Sequence, residues 1–244
     1  MYQKERQREI LDLLSNNGYI TVKELSSLLY TSESSIRRDL TAMESMGLVK
    51  KNYGGVELVT QNPSIVPFSS RRHYHIPKKK IMAKKAMEYV HDGQIVFLDQ
   101  SSSALFVAYE LMSRKNITIV TNNIEILASF SQSDLKVYAS GGYISQTNRN
   151  CLIGEDAHNI FSKTHADLLF FSAKALSPEG TIYDFTREEI HIRNTMMKHA
   201  AKKIFLCDSD KFDTYAGYEQ CSLSDIDGMI CENDTLGKYE VFFS

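Results

Sequence analysis

The stretch SESSIRRDL, residues 32–40, places two adjacent arginines after a run of serines. The apolar residues Ile36, Leu40 and Met43 recur at the i, i+4 and i+7 positions, which lie on one face of a helix. Ser32 stands where an N-cap hydroxyl accepts a hydrogen bond from the first turn. The spacing therefore predicts a helix that begins after Ser32 and packs its apolar face inside a small domain.

The side of this helix opposite its apolar stripe is rich in hydroxyls and guanidinium groups. At about 100° per residue, the outer side and its flanks hold Ser34, Ser35, Arg37, Arg38, Thr41 and Ser45. Short hydroxyls allow close approach to another surface, and a guanidinium binds a phosphate or the guanine edge through two parallel hydrogen bonds. A solvated helix surface is the simpler alternative if charge alone is considered.

Two shorter amphipathic segments precede this helix. The first has apolar residues within 10–14 and ends at the Asn-Asn-Gly turn of residues 16–18. The second opens with T-V-K-E, residues 21–24, a capping box in which the hydroxyl and the carboxylate each satisfy a backbone N–H. Its apolar stripe lies within 25–29. We expect this second helix to begin at about Val22.

A short hairpin follows the three helices. Residues 48–51 and 56–58 have strand character, and they flank the turn Asn-Tyr-Gly-Gly of residues 52–55. Three helices and a hairpin predict a winged helix-turn-helix, whose third helix enters the major groove of DNA. An ordinary surface hairpin explains the basic wing almost as well. The predicted DNA contacts of helix and wing are Ser32, Ser34, Ser35, Arg37, Arg38, Thr41, Lys50, Lys51, Asn52 and Tyr53.

The composition is that of a globular protein. The chain has 244 residues, 43% of them apolar and 24% charged, which is enough for a small and a medium domain. No stretch approaches the roughly 20 apolar residues that span a bilayer, and the charged start MYQKERQREI is unlike a signal peptide, so we expect a cytoplasmic protein. The four cysteines are widely spaced, without a C-x-x-C. Neither a metal nor a cofactor is predicted.

Charge and proline mark a boundary between two domains. Residues 1–57 carry eight basic and eight acidic side chains, and the whole chain has a net charge of −2. Seven cations and no acid follow within 58–87, a run that a solvated connector explains readily. Pro63 and Pro67 favour a linker. We predict a DNA-binding domain over 1–58, a linker over 59–76, and a second domain over 77–244.

After the linker, apolar strand-like runs alternate with helical periods. The predicted strands are 95–99, 117–121, 135–140, 167–173, 203–208 and 227–232, and the predicted helices are 81–89, 104–112, 124–130 and 188–202. Such alternation predicts an α/β domain with a largely parallel sheet covered on both faces. In sheets of this kind ligands bind at the carboxyl ends of the strands.

The motifs of both domains resemble the DeoR family of bacterial transcriptional regulators. The first domain matches it through S-x-x-S-I-R-R-D-L and N-Y-G-G. The second matches through Lys80-Ile81-x-Ala83, F-L-D-x-S-S-S of 97–103, Thr121-Asn122, Gly141-Gly142, Gly154, Gly180 and D-S-D-K-F of 208–212. The resemblance implies a repressor of carbohydrate-metabolism genes, whose ribose-5-phosphate-isomerase-like domain over 77–244 is an effector-sensing and oligomerisation domain that senses a phosphorylated sugar or a related metabolite. A winged helix of this kind commonly acts as a dimer, so we expect a homodimer or homotetramer.

A candidate effector site follows from the strand ends. Hydroxyls and backbone N–H groups at a helix N-terminus form a natural anion seat, with a capped helix as the plain alternative. A lysine in D-S-D-K-F could neutralise a phosphate, and neighbouring turns could close round the ligand. The predicted effector contacts are Asp99, Ser101, Ser102, Ser103, Thr121, Asn122, Gly141, Gly142, Lys174 and Lys211.

The chain departs from the family pattern along this expected wall. Where D-x-G-T-T is usual, residues 99–103 end in three serines. Ser172 and Ala175 stand where glycines are usual, and Lys174 where an acid is common. Either the effector differs from a simple sugar phosphate, with Lys174 recruited to an anion, or the pocket has partly lost its ligand.

Two other function classes compete with a regulator. A sugar-phosphate isomerase needs a carboxylate base near the substrate carbonyl, but residues 172–176 read Ser-Ala-Lys-Ala-Leu and contain none. A non-sensing architectural protein would bind DNA without responding to any metabolite. The residues favour a regulator over an enzyme.

Overall fold

The computed structural model describes residues 3–17, 19–46, 48–52, 54–58, 68–234 and 236–243. The chain divides into two compact units, Met1–Ile76 and Pro77–Ser244. We describe each unit by itself.

In its described residues, the first unit has three main helices, a fourth short one, and a three-stranded sheet of order β1-β3-β2. Its elements are α1 (Gln3–Asn17), β1 (Tyr19–Thr21), α2 (Val22–Leu28), α3 (Glu33–Ser45), β2 (Val49–Asn52), β3 (Gly55–Leu58) and the short α4 (Phe68–Arg71). The strands pair antiparallel, with β2 and β3 as the two arms of the predicted hairpin. This is a winged helix-turn-helix, as the sequence predicts.

Two caps fix where α2 and α3 begin. The Thr21 hydroxyl accepts a hydrogen bond from Glu24 N, and the Glu24 carboxylate accepts one from Thr21 N, which confirms the predicted capping box. The Ser32 hydroxyl accepts from Ser35 N and caps α3, also as predicted. With its ends set in this way, α3 turns the predicted apolar stripe into a core formed with α1 and α2.

The segment predicted as a linker contains structure over its described part. Residues 59–67 lie outside the described residues, but α4 follows them and Tyr74 is buried in the core of the first unit. Burial of the Tyr74 ring stabilises a packed conformation of this segment over an extended one. Residues 68–76 are therefore packed and do not form an extended linker. The exact domain limits stay predictions.

The second unit is built around a main sheet, and helices alternate with strands along its sequence. Its helices are α5 (Ile76–Ala86), α6 (Ser102–Leu111), α7 (Ile124–Ser129), α8 (Glu155–Lys163) and α9 (Arg187–Lys198), and its strands are β4 (Ile95–Leu98), β5 (Thr118–Thr121), β6 (Lys136–Ala139), β7 (Tyr143–Ile144), β8 (Leu152–Ile153), β9 (Ala166–Phe171), β10 (Ala175–Leu176), β11 (Thr181–Asp184), β12 (Ala200–Leu206), β13 (Tyr218–Ser222) and β14 (Gly228–Ile230). Short 3₁₀ helices cover Met87–Tyr89, Ser209–Lys211, Leu223–Asp225 and Gly237–Phe243.

The main sheet has six strands in the order β14-β12-β9-β4-β5-β6, and every neighbouring pair in it is parallel. From β4 the chain first builds towards β5 and β6, and later returns to place β9, β12 and β14 on the other side. The strand order therefore reverses between β4 and β9. In open parallel sheets such a reversal leaves a crevice at the carboxyl ends of the two strands.

The predicted fold class is confirmed, with differences in detail. The helix predicted over 188–202 ends at Lys198, and β12 begins at Ala200 because its backbone pairs with Ala166 of β9. Pairing within the sheet outweighs the helix preference of the alanines and lysines here. The antiparallel sheet β10-β11-β13, the β7-β8 pair and α8 were not predicted, since each is short or interrupted by polar residues.

Candidate functional site

The outer face of α3 is exposed to solvent. Ser34, Arg37, Arg38 and Thr41 are all exposed, while the stripe opposite them is fully buried. Arg37 Nη2 contacts Glu33 Oε2 at 2.7 Å, yet its side chain remains 63% exposed. Arg38 Nη2 lies 3.4 Å from Ser35 Oγ, its hydrogen bond to a neutral hydroxyl. Both guanidinium groups thus remain accessible to an anion.

The wing is tied to the end of α3. The Lys51 ammonium contacts Glu44 Oε2 at 2.8 Å and donates to Thr41 Oγ1 at 3.1 Å. Hydrogen bonds to the Glu44 carboxylate from the Lys51 ammonium and from the Lys51 backbone N–H lower the pKa of Glu44. Lys50 is 67% exposed and 3.9 Å from Glu57. Asn52 lies on β2 beside Gly55, but its side chain and Tyr53 lie outside the described residues.

A buried ion pair orients α3 against α1. Asp39, the acid of I-R-R-D-L, is 1% exposed and accepts a hydrogen bond from Arg6 Nε. The pair joins the first and third helices, with Asp39 fully buried and Arg6 14% exposed. Sequence reasoning passed over both residues, although Asp39 falls next to the buried Leu40 and thus on the inner side of the helix.

In the second unit, several predicted effector residues meet at the reversal between β4 and β9. Asp99 follows β4, is fully buried, and accepts from Ser101 N at 3.0 Å and from Ser172 N at 3.2 Å. The Ser101 hydroxyl accepts from Ala104 N and caps α6. Ser102 and Ser103 form the first turn of α6, where helix N–H groups lack intrahelical partners. An anion at this position would meet the positive end of the helix dipole.

The Asp99 carboxylate is neutralised inside the fold. Arg193 of α9 is 1% exposed; its Nε contacts Asp99 Oδ2 at 3.1 Å and its Nη2 contacts Asp184 Oδ2 at 3.0 Å. Arg193 Nη1 also donates to Gln220 Oε1 at 2.6 Å. Burial opposes the charged guanidinium, but the nearby carboxylates of Asp184, Asp99 and Glu189 outweigh it and raise the pKa of Arg193. The negative charge of Asp99 is therefore matched before any ligand arrives.

An amide network extends this edge to the next strand. Asn122, after β5, donates to Gln100 Oε1 at 3.3 Å and to the Leu152 carbonyl at 3.2 Å. Gln100 and Asn148 in turn donate to the two oxygens of buried Glu189, at 3.1 and 2.9 Å. Within the described residues, the buried Asn122 Oδ1 has no hydrogen-bond partner. A buried acceptor in this state is a place where a ligand donor or a water gains a hydrogen bond.

Lys211, in the 3₁₀ turn after β12, contacts the same carboxyl-terminal edge of the main sheet. Its ammonium donates to Ser172 Oγ at 2.7 Å and contacts Asp208 Oδ2 at 3.2 Å. Ser172 Oγ donates in turn to the Leu206 carbonyl at 2.6 Å. Ser172 therefore links the end of β9 to β12 and to Lys211.

The remaining predicted effector residues have other surroundings. Thr121 donates its hydroxyl to the Leu98 carbonyl, a bond between neighbouring strands. Gly141 and Gly142 follow β6 with φ of +79° and +86°, and a Cβ atom at Gly142 would collide with the Ile153 carbonyl oxygen. Lys174 is exposed, with its ammonium 6.0 Å from the centre of the Phe185 ring. The contacts described for Thr121, Gly142 and Lys174 are thus with residues other than Asp99, Ser172 and Lys211.

Arg193 and Glu189 were missed by the sequence prediction. Both are charged residues on the buried side of α9, four positions apart and in line with buried Met196. That periodicity is a usable signal, because charges on an apolar stripe are rare unless they are paired. Among the described residues, no group of three or more His, Cys, Asp or Glu side chains could hold a metal ion. No helix in the described ranges is long and apolar enough to cross a membrane.

Comparisons with known proteins agree with both halves of this description. The family model of the DeoR-like helix-turn-helix domain matches residues 6–62, and that of the DeoR C terminal sensor domain matches residues 74–233. The HTH-type transcriptional regulator GolR of Listeria innocua is 33% identical, over 96% of this chain and 92% of that protein. The glycerol-3-phosphate regulon repressor of Escherichia coli is 24% identical, over 94% of this chain and 90% of that protein.

Solved structures show likeness in fold. The tetrameric eIF2B-beta2-delta2 complex from C. thermophilum has a TM-score of 0.50 at 14% identity, over 84% of this chain and 64% of that chain. Ribose 5 phosphate isomerase A from Neisseria gonorrhoeae has a TM-score of 0.41 at 16% identity, over 55% of this chain and 52% of that chain. This chain spans about half the length of the isomerases it matches.

The curated relatives are named as transcriptional regulators, which confirms the expectation of a regulator and not an enzyme. Two family models together cover both units, and a relative above 30% identity covers nearly the whole chain. The chain belongs to the DeoR family of DNA-binding transcriptional regulators.

Proposed function

We propose that this regulator represses carbohydrate-metabolism genes and that a phosphorylated sugar or a related metabolite controls its affinity for the operator. The observation that carries the proposal is the outer face of α3, where two accessible guanidinium groups stand among exposed hydroxyls. Ser34 and Arg38 contact base edges in this proposal, and Ser35 and Arg37 contact phosphates or bases. The relatives named as repressors support the direction of control.

The effector binds where β4 and β9 end. The first turn of α6 at Ser102 and Ser103 and the Lys211 ammonium provide the positive groups for a phosphate. Arg193 supports this placement because it cancels the charge of Asp99, which would otherwise repel an anion. The acceptor oxygen of Asn122 suits a ligand hydroxyl. One relative is named for its glycerol-3-phosphate regulon, which agrees with a small phosphorylated ligand.

Two further features complete the proposal. The protein acts as a homodimer or homotetramer, because a winged helix-turn-helix of this size reads paired half-sites about one helical turn apart. It works in the cytoplasm, where bacterial operators and sugar phosphates meet.

Selection of bound sequences from random double-stranded DNA tests the regulator directly. The selection is run with and without a pool of sugar phosphates at millimolar concentration. We expect a paired half-site motif, whose recovery changes in the presence of the pool. Recovery of the same motif under both conditions would favour a regulator that does not sense phosphates.

Replacement of Arg38 by alanine then tests the proposed contact. Loss of a bidentate base contact costs about 1–3 kcal/mol of binding free energy and relaxes one operator position. The measurement is the Kd for the selected motif, for its single-base variants and for scrambled DNA. Lys4→Ala, which removes an exposed cation of α1 outside the proposed contacts, is the control. If Arg38→Ala weakens all sequences equally, Arg38 contacts only phosphate.

A further inference from the structure

Lys78 lies in the first turn of α5, two residues after the last residue of the first unit. Its ammonium contacts Asp210 Oδ2 at 2.7 Å, donates to Ser209 Oγ at 3.0 Å, and contacts Glu232 Oε1 at 3.1 Å. An ammonium has three donors, and these three acceptors match that number. The four residues form what we call the Lys78 cluster.

The cluster holds the 3₁₀ turn that carries Lys211. Glu232 accepts from Ser209 N at 3.0 Å and from the Ser209 hydroxyl, so that both Asp210 and Ser209 are bound from outside the turn. Inside the turn, Lys211 N donates to the Asp208 carbonyl and Phe212 N to the Ser209 carbonyl. The position of the Lys211 ammonium at the effector edge is therefore determined partly by the cluster.

The charge state of the cluster is well defined. Burial works against the charged form of Glu232, but the hydrogen bonds from Ser209, the Cys231 thiol and Lys78 lower its pKa to about 2. Burial likewise opposes the charge of Lys78, while its hydrogen bonds to Asp210 and Glu232 raise its pKa. At neutral pH Glu232 is therefore a carboxylate and Lys78 an ammonium, and the two attract each other.

A second lysine shows that α5 is fixed to the same loop at its other end. Lys85, seven residues further on, donates to the backbone carbonyls of Cys231, Glu232 and Asn233 at 2.7–3.2 Å. Lys85 contacts the loop after β14, whereas Lys78 alone of these two reaches the turn that leads to Lys211. A displacement of that turn would therefore change the contacts of Lys78, at the beginning of α5, before it changes those of Lys85.

We propose that Lys78 is a positioning residue of the effector site. It fixes the position of the Lys211 ammonium, and it transmits the binding of an anion by Lys211 to the start of α5, where the chain leaves the DNA-binding unit. The inference rests on the proposed function. An anion that binds Lys211 competes with Ser172 and Asp208 for its ammonium. Any shift of the 3₁₀ turn then changes the geometry of Asp210 and Ser209 around Lys78.

The first test needs no ligand. Hydrogen exchange is measured at the amides of Lys211 and Phe212 in the full chain for wild type, Lys78→Met, Lys78→Arg and Lys84→Met. Lys84 is an exposed lysine of the same helix and serves as the matched control. We expect exchange at least tenfold faster in Lys78→Met, recovery in Lys78→Arg, and a change of less than twofold in Lys84→Met. Unchanged exchange in Lys78→Met would overturn the inference.

The second test measures coupling. Glycerol 3-phosphate, ribose 5-phosphate and inorganic phosphate are the probes, and each protein is assayed for probe affinity by thermal shift and for the ratio of operator Kd with and without probe. Allosteric factors of about 5–150 are typical, and we expect this ratio to fall towards 1 in Lys78→Met while operator binding without probe stays within twofold. Lys78→Arg should retain the wild-type ratio.

The outcomes separate the two proposals. If Lys78→Met exchanges faster but keeps the wild-type probe affinity and Kd ratio, the inference fails and the effector proposal stands. If wild type responds to none of the three probes, the proposed effector is wrong, and the exchange measurement still decides whether Lys78 holds the turn.

Discussion

The arginines of the two units have opposite surroundings. Arg37 and Arg38 on α3 are exposed, and their partners are one carboxylate on the same helix face and one hydroxyl. Arg193 on α9 is 1% exposed and contacts two carboxylates and one amide from three other segments. The same side chain is thus available for recognition in one unit and serves as an internal support in the other.

The difference lies in which face of the helix carries the cation. On α3 the arginines lie opposite the apolar stripe, whereas on α9 the arginine lies within it, next to buried Ile192. Arg6 of α1 shows that the unit itself is not decisive, since it pairs with buried Asp39 inside the DNA-binding unit. A guanidinium is available to a ligand where its side chain stays exposed, as that of Arg37 does despite its contact with Glu33.

The largest expected effect comes from Arg193→Met. The replacement keeps much of the side-chain volume but leaves Asp99 and Asp184 without their cation, and removal of one partner of a buried pair costs about 3–5 kcal/mol. Native-state hydrogen exchange in β4 and β9 measures the loss of stability. Arg187→Met is the control, because Arg187 is exposed on the same helix and stacks on Tyr218. A cost for Arg193→Met equal to that of the control would contradict the internal role.

The second prediction concerns the structural arginine of the DNA-binding unit. Arg6→Met leaves the buried Asp39 carboxylate without its donor, and a hydrogen bond between charged groups contributes about 1.5–3 kcal/mol. We expect that loss in the exchange protection of α1 and α3, together with weaker operator binding that follows from instability. Arg8→Met, on the same helix and exposed, is the control. Equal stability of both variants would show that Asp39 needs no partner.

Sequence periodicity was sufficient to predict the exposed face of α3 but not the contacts around Asp99 and Lys211. The capping residues Thr21 and Ser32 and the stripe of α3 act locally, so their pattern is visible within a few residues. The partners of Asp99 lie at 172 and 193, and those of Lys211 at 172 and 208. Such contacts form only when the parallel strands are aligned in the sheet. The order of the strands cannot be predicted from the local sequence.

A third prediction uses pH to compare a partly buried pair with the fully buried one. The folded-state pKa of Glu232 is about 2, lowered from 4.5. The unfolded chain therefore takes up this proton first as the pH falls, so the stability from Glu232 is complete above about pH 4.5 and is lost between 4.5 and 2. At pH 7 Glu232→Gln should cost about 1 kcal/mol, less than Arg193→Met because solvent screens part of the cluster.

Urea unfolding of wild type and Glu232→Gln from pH 2 to pH 7 checks this. The difference between the two proteins should close as the pH approaches 2. Asp234→Asn is the control, since Asp234 is fully exposed at the end of the same loop. A difference that stays constant across this range would mean that the carboxylate charge does not stabilise the fold.

The smallest effect is expected in the turn before α3. An exposed residue of this turn has a strained backbone conformation. Tyr30 has φ of +48° and is 97% exposed between α2 and α3. The left-handed conformation costs a residue with a Cβ atom about 1–2 kcal/mol, and glycine loses about 0.5–1 kcal/mol of this gain through its entropy in the unfolded chain. Tyr30→Gly should therefore stabilise the DNA-binding unit by about 0.5–1 kcal/mol, measured by exchange in α2 and α3. Tyr30→Ala removes the same exposed ring but keeps the Cβ atom, so it should give no gain; equal gains from both would assign the effect to the ring and not to the backbone.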